Sequence, residues 1–215
     1  MQVEVLGFRV GAPLGAACSS YAVRSESALL LLDCGPGALE HLWNRRLAER
    51  LDAIVISHMH MDHMLDLLPF SGEVTQMALR ERSPERRLPA LYLPRGHGPE
   101  VLATLSSAVG SDFARFRDSF DVRGTTSGTA SRPRDGAYSE GLVSHAADAD
   151  LLLLEATYLD AGPELARDGH MNGEQAGDVA QRAGARRLLL THVGPWPERN
   201  AEKGPQAVRR RGGAR

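Results

Sequence analysis

Apolar and polar residues alternate from the start of the chain. Val3 and Val5 stand between Gln2 and Glu4 in "QVEVLGF", the two-residue period of a strand. The stretch "RVGAPLGAACSS" is glycine-rich and reads as a turn region, and "SYAVRSESALLLLDCG" reads as a hairpin. After a Gly-Pro-Gly turn the period lengthens, and Leu39, Leu42, Trp43 and Leu47 show helical spacing. "LDAIVIS" predicts a short buried strand, "MLDLLPFSGEVTQMALRER" a helix broken around Pro69, "PALYLP" a strand and "GPEVLATLSSAVGS" a helix. Periodicity then stops. Residues 123–141, "RGTTSGTASRPRDGAYSEG", have almost no apolar positions and read as an irregular linker. Order returns with the strand "ADLLLLEAT", a helix over "NGEQAGDVAQRAG" with Val179 on its apolar face, and "ARRLLLTHVGPW", a strand running into His192. Strands interleaved with helices in both halves predict a layered α/β (α+β) domain over 1–197.

Composition narrows this only a little. A chain of 215 residues can bury one good core or two small ones. The net charge of −2 hides an asymmetry: Lys203, Arg209, Arg210, Arg211 and Arg215 lie in a terminal stretch with no acid, so the rest is more acidic than the total suggests. An acidic body argues against broad non-specific nucleic-acid binding. Residues 198–215 read as a basic, disordered tail. Cys18 and Cys34 imply no disulfide framework. No apolar run is long enough to cross a bilayer, and "MQVEVLG" lacks the basic start of a secretory signal, so no membrane association and a cytoplasmic location are expected.

The chemistry is concentrated in "SHMHMDH", at the end of the strand "LDAIVIS". In an extended chain residues i and i+2 share a face, so His58 and His60 can aim two imidazoles at one ion. Asp62 and His63 follow where the chain turns toward a helix and can take a second ion near the first. Zinc favours these ligand types, and two ions about 4 Å apart can share a hydroxide and clamp an in-line displacement. Four candidate ligands within six residues make a merely solvated polar loop the weaker reading.

These residues resemble the His-x-His-x-Asp-His signature of the metallo-β-lactamase fold. "LLLDCGPGALEHL" is similar to the adjoining strand and helix of that family, with Asp33 as its structural aspartate. "LLLLEATYLD", "GHMNGEQAG" and "LLLTHVGPW" resemble the C-terminal half of the ribonuclease Z-like branch. The resemblance implies a four-layer αββα sandwich with metals at the strand ends. It places His58 and His60 on the first metal and Asp62, His63 and His192 on the second. Asp62 would also orient the attacking water. Glu155 and His170 would form the pair that protonates the leaving group, although Met171 and Asn172 stand where the branch has a small hydroxylated residue. Zinc is the implied cofactor, as one ion or two, with manganese as the alternative.

Two ligands of that pattern are missing: a third histidine for the first metal, and the bridging aspartate usually written Gly-Asp-Thr. The irregular stretch stands where both belong and reads as an internal deletion that leaves the second sheet short of strands. His145 and Asp148 are weak substitutes, because they precede the strand "ADLLLLEAT" instead of following it. Three activities remain open. The first is a metal-dependent hydrolase of phosphodiesters, acting on a small molecule, a nucleotide or RNA, although no recognition arm suited to RNA is visible. The second is a catalytically impaired metal-binding relative. The third is a thioester or lactam hydrolase on the same fold. With two ligands on the first ion and three on the second, the expected content is close to one zinc per chain. The resemblance also allows a homodimer, which nothing in the spacing requires.

Overall fold

The computed structural model describes residues 1–10, 17–94, 98–108, 110, 114–124, 138–158 and 169–194. The chain forms two compact units, 1–130 and 131–215.

Unit 1 is built on a six-stranded sheet whose strands lie in sequence order. These are β1 (Gln2–Gly7), β2 (Ser20–Arg24), β3 (Leu29–Leu32), β4 (Ala53–Val55), β5 (Ala90–Leu93) and β6 (Asp121–Gly124). The first three pair antiparallel and the rest parallel. Parallel neighbours need crossovers, and helices supply them. Helix α1 (Ala38–Asn44) links β3 to β4; α2 (Met61–Met64), α3 (Leu67–Ser71) and α4 (Glu73–Arg82) link β4 to β5; α5 (Gly98–Ala108) and α6 (Ala114–Ser119) lie between β5 and β6. The expected break near Pro69 is real. Pro69 lies in the first turn of α3, where its missing N–H costs little, and Gly72 is extended between α3 and α4.

Leu31, Ile54 and Leu91, on the three central strands, are fully buried and share one core with Leu42, Phe70, Phe116 and Phe120. Burying each such side chain contributes about 1.5–3 kcal/mol. The start of α1 is pinned from a distance: Gly37 is left-handed (φ 90°), and the Asp66 carboxylate accepts the Leu39 N–H at 2.9 Å.

Unit 2 contains α7 (Glu140–His145), β7 (Leu152–Glu155), α8 (Gly173–Arg182) and β8 (Leu188–Thr191). β7 and β8 pair in parallel as a two-stranded sheet among the described residues. Leu154, Met171, Ala176 and Val179 form its small core. A capping box starts α8: the Asn172 side chain accepts the Gln175 N–H and the Gln175 side chain accepts the Asn172 N–H.

The stretch expected to be irregular is trimmed at both ends. Arg123 and Gly124 complete β6, hydrogen-bonded to β5, and Glu140 and Gly141 open α7. The middle of that linker, 125–137, and the tail 198–215 lie outside the described residues. No helix among the described residues is long and apolar enough to cross a membrane.

Candidate metal-binding site

The chemistry-bearing residues of unit 1 stand at the carboxyl ends of its parallel strands, the edge where open α/β sheets carry their sites. Asp33 directly follows β3, and Ser57 to His60 follow β4. Asp33 is left-handed (φ 58°), a conformation that costs a non-glycine residue of order 1 kcal/mol or more. Three hydrogen bonds hold it there. Its carboxylate accepts the Ser57 N–H at 2.8 Å, the Ser57 hydroxyl at 2.9 Å and the His63 Nδ1–H at 2.8 Å. Because a carboxylate can only accept, His63 carries its hydrogen on Nδ1 and presents Nε2 as an acceptor nitrogen.

The cluster folds in on itself. His58 Nε2 lies 3.1 Å from His60 Nδ1, the His58 and His63 ring centroids are 3.9 Å apart, and an Asp62 oxygen is 3.8 Å from His63 Nε2. Four residues expected to act as ligands are thus neighbours. Burial, and then the nearby imidazoles of His63 and His60, push His58 down to about 4 against the pull of Asp33 and Asp62. It is therefore neutral at ordinary pH, as a metal ligand must be. Backbone packing sets the loop's place. A side chain at Gly35 would put its Cβ 2.0 Å from the Asp62 carbonyl oxygen and 2.7 Å from Cys18 Cβ.

Unit 2 carries a second polar cluster at the carboxyl ends of β7 and β8. Glu155 ends β7, and His192 directly follows β8 with φ 52°, left-handed like Asp33. Glu155 Oε2 accepts the His170 Nδ1–H at 2.6 Å and the Thr157 hydroxyl at 2.7 Å. Burial raises the Glu155 carboxyl, but the hydrogen bonds from His170 and Thr157, with the His192 imidazole close by, outweigh it and bring it down to about 2. The His170 and His192 rings stack at 5.1 Å with 26° between planes. The atoms of Glu155, His170 and His192 are close enough together to hold a metal ion themselves. Asn172, where the resemblance expects a hydroxyl nearby, caps α8 instead and fixes the end of the loop that carries His170.

His145 is at the exposed end of α7, where its Nδ1–H donates to the Gly141 carbonyl at 2.7 Å. Asp148 is in the turn that follows. Both precede the amino end of β7, away from Glu155 at its other end, so neither joins that cluster. Sequence reasoning missed Ser57 and Thr157. Each hydroxyl stands beside a recognised residue, but one of its partners, Asp33 for Ser57 and His192 for Thr157, comes from the end of another strand, and no spacing rule identifies it.

Residues 14–87 match the family model of the metallo-β-lactamase superfamily. The chain is 30% identical over 220 residues to the Bacillus subtilis (strain 168) protein named "Probable metallo-hydrolase YhfI", covering 90% of this chain and 87% of that one. It is 26% identical over 251 residues to ribonuclease Z of Halorubrum lacusprofundi, covering 81% and 80%. The crystal structure of the metallo-β-lactamase fold protein YhfI from Bacillus subtilis aligns with a TM-score of 0.71 and 23% identity, covering 96% of this chain and 92% of that one.

Proposed function

As this chain belongs to the metallo-β-lactamase superfamily of hydrolases, we propose that it hydrolyses phosphodiester bonds at a zinc site, with 1–197 working as one catalytic domain. The observation that carries the choice of bond is the 2.6 Å contact between His170 Nδ1 and Glu155 Oε2. A phosphodiester with an alkoxide leaving group needs a proton at that oxygen, and an imidazole held by a carboxylate can deliver one. Hydrolysis of a thioester or a lactam makes a different demand on the leaving-group acid. The name of the ribonuclease Z relative supports the same substrate class, which covers cyclic nucleotides and RNA.

The donors fit zinc: His58, His60 and His63 surround one another beside Asp62, and His58 is neutral. In this reading His58 and His60 hold one ion, and Asp62, His63 and His192 hold the other. Manganese is the alternative. A bound ion would supply Lewis-acid polarisation of the phosphoryl oxygen and a lowered pKa for the attacking water. Asp62 orients that water. Glu155 fixes His170 through Nδ1, and His170 protonates the leaving oxygen from Nε2.

The test compares two leaving groups. Nitrophenolate leaves without protonation, whereas an alkoxide does not. His170→Ala should lower turnover of an alkyl phosphodiester about 10²–10⁴-fold while changing bis-(p-nitrophenyl) phosphate turnover far less. Equal losses on both substrates would remove His170 from the acid role.

A second reading has its own observation. The sequence contains no Gly-Asp-Thr, and among the described residues of unit 1 no histidine beyond His58, His60 and His63 follows a strand end. On that reading the protein binds close to one zinc and turns over weakly or not at all. His192→Ala would then strip most of the metal and His58→Ala little, as measured by metal content after dialysis. Two tightly held ions with brisk turnover would exclude it.

A further inference from the structure

Thr157 is buried, and its hydroxyl lies 2.7 Å from Glu155 Oε2, 2.7 Å from His192 Nδ1 and 3.2 Å from the His192 carbonyl oxygen. A hydroxyl has one hydrogen to give. Suppose it went to His192 Nδ1. The threonine oxygen and the Glu155 carboxylate oxygen would then face each other at 2.7 Å with no hydrogen between them, two acceptors in contact. Giving it to the carbonyl leaves the same clash. The hydrogen must therefore point at the carboxylate, which is also the stronger acceptor. With that hydrogen committed, the 2.7 Å contact to His192 closes only if His192 Nδ1 carries a hydrogen and donates it to Thr157. His192 Nδ1 is 3.6 Å from Glu155 Oε2, too far for a direct hydrogen bond, so the hydroxyl is the link.

We infer that Thr157 is a positioning residue that relays the Glu155 carboxylate to His192, fixing the Nδ1–H tautomer and turning Nε2 into the nitrogen offered to a metal. This rests on the proposed function insofar as it takes His192 to be a ligand. Glu155 then serves two imidazoles at once, His170 directly and His192 through Thr157. The same carboxylate–hydroxyl–imidazole order recurs in unit 1, where the Ser57 hydroxyl lies 2.9 Å from Asp33 Oδ2 and 3.0 Å from His58 Nδ1. Partners that orient a ligating imidazole in this way commonly change metal affinity about 10–100-fold.

The tautomer is read by proton–nitrogen correlation spectra of the full chain, labelled with ¹⁵N-histidine and free of metal. The His192 signal is assigned by its loss in His192→Gln. The wild type should show the Nδ1–H form. Thr157→Val keeps the shape and removes the hydroxyl; it should shift His192 toward the Nε2–H form and weaken zinc binding about 10–100-fold. Thr157→Ser should restore both, and circular dichroism confirms that each variant is folded. An Nε2–H wild type, or a folded Thr157→Val with unchanged tautomer and unchanged zinc affinity, overturns the relay. An Nδ1–H wild type whose zinc content does not depend on His192 leaves the relay standing and overturns the assignment of His192 as a ligand.

Discussion

Asp33 carries more of the site than its single negative charge suggests. It pays for a left-handed backbone with hydrogen bonds to Ser57 and His63, and through His63 it sets which ring nitrogen carries the hydrogen. Asp33→Asn would keep the shape but turn one accepting oxygen into a donor, facing Ser57 or His63. Bound zinc should fall about 10–100-fold in affinity, and unfolding in urea should show a loss of about 1.5–3 kcal/mol. Unchanged zinc affinity in the Asp33→Asn variant would show that His63 needs no such brace. Next to it, Cys34 is fully buried, and burial, followed by the Asp66 and Asp33 carboxylates, pushes its thiol well up. Thiolate is the reactive form, so Cys34 should resist iodoacetamide at about pH 8 in the folded protein and react promptly in denaturant. Mass spectrometry after timed quenching reads this directly. The clustering of His58, His60, Asp62 and His63 was legible from the sequence because their proximity is local, a matter of six residues at one strand end. The roles of Ser57 and Thr157 were not, because a hydroxyl is an ordinary surface group until the fold supplies a carboxylate on one side and an imidazole on the other.

Among the elements, α1 depends on a carboxylate from another helix-bearing segment. Asp66 is raised by burial, partly offset by the backbone N–H groups of Leu39, Gly37 and Ala38. A carboxyl raised in the folded state binds its proton more tightly there than in the unfolded chain. Its contribution therefore favours folding least once pH has risen past the folded pKa, and the penalty vanishes below the unfolded one. Asp66→Asn retains an acceptor for Leu39 without the charge. It should be at least as stable as the wild type at about pH 7 and lose that advantage near pH 3, as followed by chemical denaturation at the two pH values. A variant much less stable at neutral pH would mean that the charge itself holds α1. The apolar runs announced β3, β4, β5, β7 and β8. β6 was hidden, since Asp-Val-Arg-Gly holds one apolar residue and becomes a strand only by pairing with β5. α7 was hidden too: its signal is a single turn capped by the Ser139 side chain, set against a glycine- and serine-rich background.

For the whole molecule, the two units differ greatly in what they bury. Among the described residues, unit 1 gathers twenty-one buried residues into one core, and the core of unit 2 has four. Local stability follows buried apolar contact. Native-state hydrogen exchange should therefore find the amides of Leu31, Ile54 and Leu91 among the slowest, and those of Leu153 and Leu189 opening at clearly lower free energy. Equal protection in both sets would show that the chain unfolds as a single cooperative block. The layered α/β class was readable from alternating strand and helix patterns. The division into a large and a small unit was not, because it depends on how much apolar surface finds a partner, and periodicity reports only that such surface exists.

The position of Asp33 and the histidine cluster along the chain also fixes an order of events during synthesis. Protein chains emerge from the ribosome N-terminus first, and domains tend to fold as they emerge. Asp33, Ser57, His58, His60, Asp62 and His63 all belong to unit 1, whose last strand ends at Gly124. Glu155, His170 and His192 are translated later. A nascent chain thus exposes a braced set of nitrogen and oxygen donors to the cell's pool of divalent ions while Glu155, His170 and His192 have yet to be made.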